Sequence, residues 1–236
     1  MRHVFFSGPG EPQPSANYVI PAPLTAEELR VLGCLIEKSF LTPDVYPLTL
    51  NSVVTACNQK TSRDPVVAYD DVTVDAILTM LQGRGLAARI SGADHRVPKY
   101  KELLSDKAGL RVSETAILCV LMLRGPQTVN EIKERTNRIH EFADIEEVES
   151  TLERLMQREV QPLAVRLPKQ AGHKELRYMH LLGDAAQLEE RAAAPRTTAE
   201  VPSRDRLSRL EEEVASLKQQ LEHLEQLFAE FRKQFD

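Results

Sequence analysis

The chain has 236 residues, enough for two small folded domains with appendages, and its 42% hydrophobic and 28% charged residues exclude a wholly disordered or collagen-like polymer. A net charge of −5 argues against nucleic-acid binding by overall charge, while leaving room for a local basic patch. No apolar run approaches the roughly 18 residues of a membrane span, and no secretory apolar segment opens the chain. Cys34, Cys57 and Cys119 are widely spaced with no CxxC, so the sequence reads as a cytoplasmic protein without a disulfide framework or zinc site.

Residues 1–22 hold four of the fourteen prolines and no hydrophobic period, and are expected to form a flexible tail. Residues 23–107 and 108–184 then carry one pattern twice. ELRVLGCLIEK from Glu28 and ETAILCVLMLR from Glu114 both read as first helices, at an offset of 86 residues. Second helices are expected at Leu48–Asn58 and Val129–Thr136. DDVTVDAILTMLQGRG and DIEEVESTLERLMQRE read as third helices at an offset of 74, so the first copy is 12 residues longer between its first and third helices. Thr25 with Glu28 forms a capping-box pattern, and Asp70 and Asp144 stand where an acidic residue caps a third helix. Each third helix is followed by a hairpin pattern: LAARI, a turn at Ser91–Asp94 and RVPKYK; then PLAVRLP, a turn at Gln170–His173 and ELRYMHLL. The expected fold is mainly α with small β-hairpins (α+β), as two tandem winged-helix domains of the helix-turn-helix type.

Residues 185–203 are polar, Ala-rich and broken by Pro195 and Pro202, and read as a linker. Residues 204–236 carry Leu207, Leu210, Val214, Leu217, Leu221, Leu224, Phe228, Phe231 and Phe235 at alternating spacings of three and four, a coiled-coil seam. An isolated helix cannot bury such a seam, so the expectation is a homodimer, with packing against the chain's own body as the alternative. Charge pairing across the seam does not choose between parallel and antiparallel.

Catalytic signatures are absent: there is no GxGxxG, Walker loop, GxSxG or HExxH, and the six histidines show no metal-ligand spacing. Helix capping accounts for Asp70–Asp71 and Glu146–Glu147. Neither a cofactor nor a metal nor an enzymatic activity is expected. The third helices are acidic, Asp70, Asp71 and Asp75 in the first and Asp144, Glu146, Glu147, Glu149 and Glu153 in the second, which would repel DNA phosphates. Positive charge lies instead on the hairpins, or wings, and in the 58–63 turn. Lys60, Arg63, Arg89, Arg96, Lys99, Arg166, Lys169, Lys174 and Arg177 are the candidate DNA-backbone contacts. Lys and Arg on exposed loops also serve solubility alone, which is the plainer account of them. Tyr46, Tyr69, Tyr100 and Tyr178 are expected at hydrogen-bonded edges of the core, and the cysteines as small buried hydrophobes.

The strings RVLGCLIEK (30–38), TPDVYPLTLNSVVTACNQKTSRDPV (42–66), ILCVLMLRGPQT (117–128), RIHEFAD (138–144) and VRLPKQAGHKELRYMHLL (165–182) resemble the YceH family of bacterial cytoplasmic proteins. The resemblance spans roughly residues 24–184. It implies two winged-helix domains and supplies no catalytic residue, because the family's biochemical role is not established. More loosely, tandem winged helices with acidic third helices are similar to the small subunit of the bacterial chromosome-condensation complex, which by analogy of architecture implies binding to proteins. Two functions follow as expectations: association with double-stranded DNA through the basic wings, in a regulatory or chromosome-linked role, or a scaffold whose winged helices bind a partner protein.

Overall fold

Helix α1 (Ala26–Leu41) starts where Thr25 closes it: the Thr25 hydroxyl accepts from the Glu28 amide at 3.2 Å while the Glu28 carboxylate accepts from the Thr25 amide at 2.9 Å. A computed structural model describes residues 18–90, 97–168 and 175–184 of the chain, all within one unit, Met1–Ala193. After a 3-10 turn at Pro43–Val45 come β1 (Leu48–Thr49), α2 (Leu50–Cys57) and α3 (Asp71–Gly83). Strands β2 (Ala87–Ile90) and β3 (Lys99–Glu102) follow, then the short α4 (Leu104–Lys107). The second half repeats the order with α5 (Val112–Arg124), α6 (Val129–Thr136), α7 (Ile145–Met156), β4 (Ala164–Arg166) and β5 (Tyr178–His180).

The protein is therefore α-rich with small antiparallel sheets, and each half has three long helices followed by a strand pair. Asp70 and Asp144 cap α3 and α7 through the amides of Thr73 and Glu147, both at 2.8 Å, as the sequence predicts. Three features go beyond that prediction. β1 adds to β3, making the first sheet three-stranded in the order β1-β3-β2, with Leu48 opposite Tyr100. A four-residue helix, α4, leads out of the first half. Residues 18–22, read from sequence as tail, are packed: Ile20 is 2% exposed and exchanges hydrogen bonds with the Gln161 side chain, and Leu24 bridges to Gly183.

The two halves meet at α1 and α5. Gly33 allows the approach, since a Cβ there would stand 2.9 Å from Leu123 Cδ2, and Cys119 Sγ donates to the Gly33 carbonyl at 3.5 Å. One continuous apolar cluster runs through both halves, including Leu32, Leu35, Ile36, Leu78, Leu81, Leu118, Leu152 and Leu155. Each such side chain contributes about 1.5–3 kcal/mol by leaving water. The hairpin turns, the 185–203 linker and the 204–236 seam lie outside the described residues.

Candidate functional site

Helix α3 buries Val74, Ile77, Leu78 and Leu81 and turns Val72, Ala76, Thr79 and Met80 outward. Spacings of three and four put the outward residues on one stripe. Val72 is 79% exposed and Met80 47%, large apolar surface on the outside of a helix. Asp71 and Asp75 line one side of the stripe, and no basic residue occurs from 70 to 83. Asp75 is held by the Tyr100 hydroxyl, which donates to it at 3.3 Å. Asp70 stays below the usual carboxylate range because Thr73 hydrogen-bonds to it. On α7 the outward face is different: Glu146, Glu149, Ser150 and Glu153 are exposed, and the apolar residues Val148, Leu152 and Leu155 are buried.

The nine candidate backbone contacts divide into three groups. Lys60, Arg89 and Arg166 are exposed, and Lys99 is half-buried. Arg96, Lys169 and Lys174 lie outside the described residues. Arg63 and Arg177 are each 6% exposed and stand inside the protein, where a duplex cannot reach them. Arg63 Nη2 lies 2.6 Å from Glu37 Oε2 and its Nη1 donates to Glu37 Oε1 at 3.0 Å; Nε takes the Ala56 carbonyl and Nη2 also reaches Gln59 Oε1. Arg63 thus anchors the 58–70 loop to α1 rather than presenting charge outward. Nor do the two described candidates of the first hairpin, Arg89 and Lys99, share a face. Arg89 stands opposite Tyr100, and Lys99 opposite Ile90, so Arg89 and Lys99 occupy opposite faces of the sheet.

Burial works against the Glu37 charge, yet the Arg63 hydrogen bonds and charge prevail and hold its carboxyl below the ordinary range. Arg30, 4% exposed, closes the same region by donating to the carbonyls of Cys57 and Pro65. Asn58 clamps the loop by a reciprocal pair of 2.8 Å bonds with the backbone of Tyr69.

With Arg63 turned inward, Arg124 occupies the outer side of the loop. It is the last residue of α5, and its Nη2 donates to the Ser62 hydroxyl at 2.6 Å. Ser62 holds a positive φ of 61°, which a non-glycine residue adopts rarely. Arg135 of α6 donates to Gln127 Oε1 at 2.9 Å and lies 3.3 Å from Glu131. Sequence reading passed over Arg124 and Arg135 because neither belongs to a hairpin or to the 58–63 turn; α5 brings Arg124 to Ser62, and α6 brings Arg135 near enough to act on the Arg124 charge.

Cys34, Cys57 and Cys119 are free and buried, as expected of small hydrophobes. The hydrogen bond that the Cys57 thiol donates to Cys34, together with burial, pushes that thiol up, and burial pushes up that of Cys119, which keeps both protonated and unreactive. Among the described residues no three His, Cys, Asp or Glu side chains group as a metal site, and no helix is long and apolar enough to cross a membrane.

Comparison with known proteins matches residues 24–173 to the family described as "Protein of unknown function, DUF480". The chain is similar to a UPF0502 protein of Solibacter usitatus, 47% identical over 213 residues that cover 90% of this chain and 98% of the relative. It is also similar to a UPF0502 protein of Pelobacter propionicus, 46% identical over 90% of this chain and 98% of that one. The UPF0502 protein YceH of Salmonella paratyphi B is 47% identical over 85% of this chain and 95% of its own length, in line with the resemblance read from the sequence strings.

Proposed function

Since the chain belongs to the DUF480 family, whose description leaves the role open, we propose a function from the surface itself: a tandem winged-helix module of the cytosol, without catalytic activity, that docks a partner protein on the outward face of α3. The observation that carries this reading is the Val72, Ala76, Met80 stripe with Asp71 and Asp75 in the row along one side of it. An exposed apolar stripe bordered by one sign of charge is complementary to a segment that carries apolar anchors and Lys or Arg. The same charges oppose a DNA backbone, because no base on α3 offsets its carboxylates. The C-terminal seam would pair two copies and present two such faces, raising the effective concentration at a repeated partner.

The test is binding to a panel of amphipathic peptides matched in apolar content and differing in charge, read by fluorescence anisotropy. Basic peptides are expected to bind wild type and to lose binding in the Val72→Asp, Met80→Asp variant. Equal binding of acidic and basic peptides, or binding unaffected by that variant, overturns the proposal.

A second reading, contact with DNA phosphates, is favoured by the exposure of Lys60, Arg89 and Arg166. A labelled random duplex titrated from about 50 to 200 mM salt separates the two, since binding that weakens steeply with salt and is lost in a Lys60→Ala, Arg166→Ala variant belongs to the cations and not to α3.

A further inference from the structure

The end of α5, the start of the 58–70 loop and α6 bring three guanidiniums within reach of one another's charge. Two have partners. Arg63 is bound through both Nη groups by Glu37, and Arg135 is paired with Glu131 and oriented by Gln127. Gln127 is itself fully buried and fixed, its amide donating to the carbonyls of Val120 and Gly125.

Arg124 differs. It is half-buried, its hydrogen bond is to a neutral hydroxyl, and among the described residues no carboxylate lies within ion-pair distance of it. The carboxylates that act most strongly on it, Glu37 and Glu131, are each engaged by another guanidinium. A guanidinium offers five N–H donors in a planar fork, and most of Arg124's are unspent. The Ser62 hydroxyl accepts from Arg124, which leaves its own proton to donate. Its left-handed backbone, strained for a serine, holds it beside Arg124, and the adjoining Asp64 amide ties the loop to α5 through the Leu123 carbonyl at 2.9 Å.

We propose that Arg124, Arg135 and Ser62 form a binding site for a tetrahedral oxyanion, the phosphate group of a small ligand, at the junction of the two halves. A phosphate supplies the charge that the protein withholds from Arg124 and accepts from a guanidinium fork and a hydroxyl together. A small ligand fits better than nucleic acid. Carboxylates stand beside the cluster, Asp64 two residues along the loop from Ser62 and Glu131 paired with Arg135, and one phosphate group clears them where a polyanionic backbone does not. The ligand would bridge an α5 residue and a loop residue of the other half, so occupancy stabilises their junction by mass action.

The experiment uses the full chain and inorganic phosphate as probe, with chloride at matched ionic strength as control, read by thermal unfolding and by calorimetry. Phosphate is expected to raise the melting temperature saturably in the millimolar range. Loss of a charge-assisted hydrogen bond should weaken binding about tenfold or more in Arg124→Gln, with a smaller loss in Ser62→Ala. Arg111→Gln, an exposed cation at the opposite end of α5, is expected to bind as wild type. Far-ultraviolet circular dichroism checks each variant's fold; should Arg124→Gln unfold, Arg124→Lys, which keeps the charge and removes the fork, must still bind phosphate more weakly than wild type. No saturable effect in wild type, or equal binding in folded Arg124 and Ser62 variants, overturns the site. Displacement of phosphate by a short duplex DNA, lost in Arg124→Gln, overturns the assignment to a small ligand in favour of a nucleic-acid backbone.

Discussion

The two halves close the gap between their second and third helices by opposite means. In the second, residues 137–143 are a short connection plugged by Phe142, which is 2% exposed and meets the His140 ring edge-on at 4.6 Å. In the first, the longer 58–70 segment is held by charge: Arg63 enters the protein and meets Glu37, Arg30 ties off two carbonyls, and Asn58 clamps the ends. An apolar plug gains by leaving water, whereas a buried ion pair gains little net energy and is severe when broken singly. The extra length of the first connection is thus used to place polar groups, and it is on this side that Ser62 and Arg124 meet.

The comparison is broken most strongly by removing either plug. Phe142→Ala is expected to cost about 3–5 kcal/mol, read by urea unfolding, from lost transfer energy and a residual cavity. Arg63→Ala is expected to cost a similar 3–5 kcal/mol, because Glu37 is left charged and buried. The sharper contrast comes from replacing both partners: Glu37→Leu with Arg63→Met should be near neutral, while no second substitution restores Phe142→Ala so fully. A double variant as unstable as Arg63→Ala would mean the loop depends on Arg63's bonds to Ala56 and Gln59 more than on the ion pair.

Two intermediate effects follow. Asn58→Ala loses both clamp bonds, each worth about 0.5–1.5 kcal/mol. At the junction, Gly33→Ala drives a methyl against Leu123 at about 1–3 kcal/mol of overpacking, offset by up to about 1 kcal/mol of helix propensity.

The pH dependence has a definite sign. Glu37's carboxyl is depressed in the folded protein, so its stabilising contribution is present above the ordinary glutamate value of about 4.3 and is lost as pH falls through the lower folded value. The gap in urea midpoint between wild type and Glu37→Gln should therefore be widest near neutral pH and narrow below about pH 4. A gap that stays constant into acid would show that the Glu37 charge does not contribute. The smallest effect is expected from Val72→Asp with Met80→Asp, each within about 0.5 kcal/mol of neutral, because both side chains already face water.

Sequence alone determined the three main helices of each half and the strand pair that follows them, the caps at Thr25, Asp70 and Asp144, the burial of the cysteines and the family. These are local or periodic properties, written in spacings of three and four and in single capping residues. It did not reveal that Arg63 and Arg177 point inward, because a basic residue in a turn has the same local signature whether its partner is water or a carboxylate some 26 positions away. Nor did it reveal β1, two residues long and defined only by pairing with β3, or the packing of residues 18–22. Arg124 became a candidate only once α5 was docked on α1 and the 58–70 loop, since unmatched charge is a property of neighbours in space. Tertiary structure decided which cations have partners and which do not, because charge pairing depends on distances of a few ångströms that sequence spacing does not encode.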